Sequence, residues 1–270
     1  MSRFIPRTLI SCTLLLAAAG VVQAQDTDKA DDPRAIMDRA LQNMRLPGAE
    51  MISTLNIYNN KGQQRVRKMA TVSKRFSADT EKRLARFVAP ADVKGTGLLT
   101  FDHDSKNDDM WLFLPAMRKT RRIVSSERAK SFMGSEFTYA DMTPPPLDDF
   151  TYALQKTEAI AGVPCWKIEM KPKTEDIADE NGFSKRVVWV GQKDHVMRQV
   201  HYFDLDGELH RVMSAKDVKE IDPANKLWRP MHMTIENKQN GRRSELVIEK
   251  LQLRADIPDE YFTTRYLERQ

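Results

Sequence analysis

The sequence predicts a mainly β (α+β) fold, a large curved antiparallel sheet accompanied by few helices. Three observations predict it: segments in which apolar and polar residues alternate, tight Asn-Gly and Asp-Gly turns between them, and only one long stretch with helical periodicity. Trp166, Ile168 and Met170 share one face of an extended run, and Lys167, Glu169 and Lys171 share the other. Met231, Met233 and Ile235 repeat the pattern. Residues 186–190, 196–204, 209–218 and 245–253 also read as extended. Turns at Asn59-Asn60-Lys61-Gly62, Asp204-Leu205-Asp206-Gly207 and Gln239-Asn240-Gly241 separate pairs of such runs. With the stretches around Leu98 and Trp111, the count reaches roughly ten or eleven strands, joined mostly as a meander.

The helical stretch opens at Asp32-Pro33-Arg34, where Asp serves as a cap and Pro suits the first turn. Ile36, Met37, Ala40, Leu41 and Met44 then fall on one stripe, and Pro47-Gly48 ends it. A second, short helix is expected from Ser125 to Met133, stopped by Gly134. Pro144 to Asp149 reads as a rigid connector entering a further helical turn near Tyr152. A wide sheet curls because its strands twist. Two helices are little material to cover its concave face, so a cavity, a ligand or a partner must complete the cover. Residues 111–115, WLFLP, are apolar on both faces. They fit either a central strand between core and cavity or an ordinary strand covered on both sides.

Hydrophobic residues make up 41% of the 270-residue chain and charged ones 30%, which excludes both a disordered chain and a polytopic membrane protein. Met1 to Arg7 carries two arginines and no acid, Thr8 to Val22 is almost entirely apolar, and Val22-Gln23-Ala24 has small-x-small spacing. This pattern predicts a signal peptide over residues 1–24, cleaved after Ala24, and one domain over 25–270. Most of the apolar run lies after Cys12, so Leu9-Ile10-Ser11-Cys12 is not read as a lipidation site. Loss of Arg3 and Arg7 lowers the net charge from +5 to +3, too mild for a general nucleic-acid binder. Cys165 is then the only cysteine, and an exported chain with one cysteine has no internal disulfide.

No convergent catalytic set is visible. The five histidines lack HxxxH or HExxH spacing, and His201 and His210, flanking one hairpin, suit a surface cross-strand pair better than a metal site. Asp102-His103-Asp104 with Asp108-Asp109 lacks the glycine and closing glutamate of a calcium loop and reads as a charged turn. Cys165 beside Trp166 reads as an inert core thiol. No nucleophile elbow, phosphate loop or dinucleotide fingerprint occurs. The expectation is therefore a protein that is not an enzyme and holds no cofactor or metal. Two features remain. The 14 methionines suit either an adaptable apolar surface or plain core filling. Arg118, Lys119, Arg121, Arg122, Arg128 and Lys130, opposed nearby only by Glu127, suit either an anionic surface or a solvated face.

Four segments in order carry a family resemblance: Lys94-Gly95-Thr96-Gly97-Leu98-Leu99, Trp111 to Ala116, Arg121-Arg122-Ile123 with Phe132 to Met142, and the ending Ile257 to Arg269. Together they resemble the LolA-like outer-membrane lipoprotein-sorting family, in a branch similar to proteins associated with RND/MMPL-type exporters. The resemblance implies an unclosed β-barrel with helices in its concave mouth, enclosing an apolar pocket. It further implies a monomeric periplasmic carrier whose partners are lipid or lipoprotein acyl chains and an inner-membrane exporter. A lipid-sensing regulatory or adaptor module is the alternative; an enzyme on the same fold is a further one. On the carrier reading, Trp111, Phe113, Trp166, Ile168, Met170, Trp189, Met231, Met233 and Ile235 are the expected lining. The segment from Ser125 to Gly134 is the expected gate, and Arg118, Lys119, Arg121, Arg122 and Arg128 the expected headgroup or partner contacts.

Overall fold

The computed structural model describes residues 1, 32–104 and 107–269. The expected signal peptide lies outside the described residues. The described residues from 32 onward form one compact unit.

Helix α1 (Pro33–Gln42) starts as its composition dictates: the Asp32 side chain accepts the Arg34 backbone N–H at 3.1 Å, and Pro33 occupies the first turn. Its stripe of Ile36, Met37, Ala40 and Leu41 is buried. The strands follow as β1 (Gly48–Tyr58), β2 (Gln64–Ser77), β3 (Thr80–Ala89), β4 (Gly97–His103), β5 (Asp109–Leu114) and β6 (Lys119–Arg122). After a long connection come β7 (Phe150–Ile160), β8 (Val163–Pro172), helix α2 (Glu175–Asn181), β9 (Lys185–Gly191), β10 (Met197–Phe203), β11 (Leu209–Asp222), β12 (Leu227–Asn237) and β13 (Arg243–Leu253). A 3-10 turn (Asp259–Phe262) and helix α3 (Thr264–Leu267) end the described chain.

All 13 strands belong to one antiparallel sheet in the order β6-β5-β4-β3-β2-β1-β13-β12-β11-β10-β9-β8-β7. The first and last strands pair at its centre, and β6 and β7 are its two edges, so the barrel is not closed. Residues 123–149 connect those two edges. They form a strap that packs Phe132, Phe137 and Tyr139 into the concave core beside Phe87, Val188 and Tyr202.

Several local expectations are corrected. The count of ten or eleven strands becomes 13 because the charge-rich β3 and β6 and the largely exposed β7 show weak alternation. The helix expected over Ser125 to Met133 is only a 3-10 turn at Ser125–Glu127, followed by an antiparallel bridge between Ser131 and Thr138. Near Tyr152 there is no helical turn; the turn is at Leu147–Asp149, and Tyr152 lies in β7. Helix α2 was not anticipated, although Thr174 caps it by accepting from Ile177 and Gly182 closes it in a left-handed conformation.

Ladder register decides which side chains share a face. Ala85 stands opposite Leu98, and Leu98 opposite Leu112, on the concave side with Met110. Leu84 stands opposite Leu99, and Leu99 opposite Trp111, on the other side. That outer face is sealed by the chain's end: Ile257, Phe262 and Leu267 pack on Leu84, Leu99 and Phe113. The apolar run WLFLP thus feeds two cores, Leu112 one and Trp111 with Phe113 the other.

Candidate functional site

The concave face is not filled solidly by its own side chains. Between α1, the inner faces of the strands and the strap lies a partly open cavity of about 220 Å³. Eight of the 14 methionines line it: Met37 and Met44 from α1 and its exit, Met142 from the strap, and Met69, Met170, Met197, Met213 and Met233 from the sheet. Phe132 and Phe137 form its strap side. Unbranched thioethers have three rotatable bonds and adapt to varied apolar shapes, so such a wall tolerates more than one occupant geometry.

The strap is held by arginines reaching from the sheet to its backbone carbonyls. Arg67 donates to Met133 O, Arg83 to Met142 O at 2.7 Å, Arg211 to Glu136 O at 2.8 Å and Arg242 to Gly134 O at 3.0 Å. Arg211 also donates to the Asp141 carboxylate at 2.8 Å, and Asp141 in turn accepts the N–H and hydroxyl of Thr138. Burial pushes the Asp141 carboxyl up, but Arg211 and these hydrogen bonds more than offset it and hold it below the usual carboxylate range. Phe132 stacks on Phe87 with ring centroids 5.8 Å apart and meets Tyr139 edge-on at the same distance.

Where α1 ends, a second polar network borders the cavity. Arg45 forms a two-pronged pair with Asp102, at 2.9 and 3.1 Å, and Arg83 pairs with Glu81 at 2.8 Å. Glu81 also accepts the Leu46 N–H. Arg229 donates to Met44 O at 3.0 Å. On the opposite side Arg186 lies 4.2 Å from the centre of the Phe183 ring. Burial pushes the Tyr202 hydroxyl up to about 12. Among the described residues no group of three or more potential metal-binding side chains occurs.

The structure divides the expected lining residues. Met170 and Met233 line the cavity. Ile168 and Ile235 lie in the same concave core, fully buried, and Trp166 packs against it. Met231 packs with Leu46, Leu227 and Ile248 in a separate cluster. Trp111 and Phe113 are corrected to the outer face, beneath the C-terminal segment. Trp189 is corrected as well: opposite Lys167 and Gln199, it is buried with Cys165 and Val187 in an outer cluster, and its indole donates to Glu158 at 3.2 Å. The reason is parity. Alternation groups residues that share a face, but which set points inward depends on the pairing of neighbouring strands.

The expected basic surface is also divided. Arg128 is 9% exposed and bonds to Asp108 at 3.1 Å, so it is part of the interior. Arg121 pairs with Glu127 at 2.7 Å and Arg122 with Asp109. Arg118 and Lys119 are exposed, with no carboxylate partner among the described residues. His201 and His210 do not face each other: His201 packs on Trp189, whereas His210 contacts Asn237 at 3.1 Å. Cys165 is buried, and burial pushes its thiol up. Sequence reasoning missed the cavity contributions of Met37, Met44, Met69, Met197 and Met213, and of Phe132 and Phe137 on the strap. The high methionine count was the available clue.

An unclosed antiparallel sheet curved around an apolar hollow is the LolA-like unclosed-barrel fold. A family model described only as an uncharacterized protein matches residues 79–269, and the chain belongs to that family. It is similar to a domain from Vibrio parahaemolyticus, provisionally described as an outer membrane lipoprotein-sorting protein (26% identity, TM-score 0.80, covering 89% of this chain and 100% of that one). It is also similar to a DUF1329 family protein from Desulfovibrio piger (27% identity, TM-score 0.79, 87% and 97% covered). A LolA superfamily protein from Nitrosomonas europaea shares the fold at 18% identity (TM-score 0.64, 87% and 98% covered). No curated protein matches.

Proposed function

We propose that this protein is a non-enzymatic carrier. It holds an acylated or lipidic cargo in the methionine-lined cavity and passes it between components of the cell envelope. The observation that carries the reading is the cavity itself, an apolar hollow left open by an unclosed sheet and covered by a tethered strap. The similarity to a domain described as lipoprotein-sorting supports it. The basic, apolar and small-x-small order of residues 1–24 supports export to the periplasm, and the family resemblance alone suggests a monomer with an RND/MMPL-type exporter as its partner at the inner membrane.

The energetics follow from transfer. Each methylene exposed to water costs about 0.8 kcal/mol, so a hydrocarbon chain crosses an aqueous compartment only when enclosed. Release requires the opposite change, a shift of the strap that opens the hollow to an acceptor with higher affinity for the same chain. The strap suits this role because side-chain tethers and the packing of Phe132, Phe137 and Tyr139, rather than ladder hydrogen bonds of the sheet, hold it in place.

Organic extraction of the purified protein followed by mass spectrometry tests the reading. Co-purified lipid, displaced when Met213→Trp fills the cavity, is the expected result. A protein that carries no lipid and binds no fluorescent fatty acid refutes it.

A further inference from the structure

Two arginines line the cavity without a carboxylate partner among the described residues, Arg186 and Arg229. Their surroundings differ. Arg186 rests on the Phe183 ring at 4.2 Å with the Tyr202 ring at 5.3 Å, and its charge is felt by the Asp141 carboxylate. These contacts compensate it. Arg229 has no such arrangement. Its Nη1 donates to Met44 O at 3.0 Å, and its Nε, like that of Arg186, is buried with no hydrogen-bond partner, but no aromatic ring stands over its guanidinium among the described residues. Burial, and then the neighbouring Arg83 charge, pull its pKa down to about 10, with Glu81 only partly opposing them. Glu81 is already bound to Arg83 at 2.8 Å and to the Leu46 N–H, and Asp102 is bound to Arg45.

A buried guanidinium is costly unless an anion compensates it. With Nη1 committed to a carbonyl and Nε enclosed by protein, Nη2 remains to donate to a carboxylate or phosphate oxygen in the cavity. We propose that Arg229 receives the anionic headgroup, a carboxylate or a phosphate, of an amphiphile whose hydrocarbon lies along the methionine wall. The inference rests on the carrier reading and adds the chemical class of the cargo. The geometry also sets a direction. Arg229 lies eight residues along β12 from Asn237, the position opposite Arg211, which is about 26 Å at strand rise. The headgroup therefore sits where α1 ends, and the chain runs toward the strap latch at Arg211.

The test uses the full mature chain, stripped of lipid, and competition against a fluorescent fatty acid at neutral pH. The competitors are a long-chain fatty acid, an alkyl phosphate and an alcohol of equal chain length, with inorganic phosphate alone as a fourth. The acid and the alkyl phosphate are expected to bind wild type roughly tenfold or more tightly than the alcohol, as a charge-assisted hydrogen bond warrants. Arg229→Met is expected to bring that ratio near one, and Arg229→Lys to retain part of it. Equal affinity for acid and alcohol in the wild-type protein overturns the proposal and leaves the carrier reading intact. So does a preference abolished by Arg186→Met but not by Arg229→Met, or competition by inorganic phosphate alone at the same concentration as the alkyl phosphate. Binding of none of the amphiphiles overturns the carrier reading instead. The wild-type ligand series needs no variant to fold.

Discussion

Arg211 on β11 and Asp141 on the strap form an ion pair at 2.8 Å, their side chains only 4% and 11% exposed. The same guanidinium nitrogen donates to Glu136 O. One side chain thereby fastens the segment covering the hollow to a central part of the wall. Removing one partner of such a pair leaves an uncompensated buried charge or an unsatisfied acceptor, which costs about 3–5 kcal/mol. Arg211→Met and Asp141→Asn are each expected to destabilise the protein by that order in chemical denaturation. The double variant should lose clearly less than the sum, because the two share one interaction. Hydrogen exchange should rise first in residues 131–143. Additive losses would mean that the pair is not coupled.

The same pair sets an acid dependence. The folded-state pKa of Asp141 lies below its ordinary value of 3.8. Between the two values the unfolded chain binds more protons than the folded one, so stability rises with pH there. The contribution is complete above the ordinary value and is lost as pH falls through the lower, folded one. The stability difference between wild type and Asp141→Asn should be flat from neutral pH down to about 5 and shrink below about 4. A difference independent of pH down to acid unfolding would contradict it.

The outer face offers a separation of stability from binding. Phe262 is 2% exposed, meets Phe76 edge-on at 5.4 Å and covers Leu84, Leu99 and Phe113. Phe262→Ala should cost about 3–5 kcal/mol through the cavity it leaves. Uptake of a fluorescent fatty acid by the folded fraction should not change, because this cluster is on the opposite side of the sheet from the hollow. Reduced affinity at full folding would place the C-terminal segment in the binding path.

Gly48 is where β1 approaches the end of β13, and a Cβ there would stand 2.1 Å from the backbone carbonyl oxygen of Arg254. That carbonyl is backbone and cannot swing aside as a side chain would, and Arg254 itself is held close by its N–H, which donates to Gly48 O at 2.9 Å. Gly48→Ala should therefore lower stability by about 1–3 kcal/mol, read as a fall in Tm. An unchanged Tm would show that the central seam between the first and last strands yields easily.

Cys165 is 0% exposed and its thiol donates to Val163 O at 3.3 Å. Burial raises its pKa, so little thiolate is present at neutral pH. Labelling with a thiol reagent should be slow in the native protein and rapid in denaturant. Fast native labelling would mean that the β8–β9 region opens readily.

Much of this protein was legible without coordinates. The Asp32 cap with its apolar stripe, the Asn-Gly and Asp-Gly hairpins, and the pairing of Trp166 with Ile168 and Met170 on one face all follow from local rules, because turn chemistry and side-chain alternation act over a few residues. The strap is where local rules fail. Serines, a glutamate and a stopping glycine suggested a helix, whereas arginines more than 40 residues distant in sequence, Arg67, Arg83, Arg211 and Arg242, take its carbonyls.

The sequence by itself determined the first helix, the hairpin turns, the mainly β class, the excess of methionine and the family resemblance, since periodicity and composition are properties of the chain alone. Tertiary structure decided that Trp111, Phe113 and Trp189 face outward while Met170 and Met233 face the hollow. A strand's two faces are equivalent until neighbours and the curvature of the whole sheet make one of them concave.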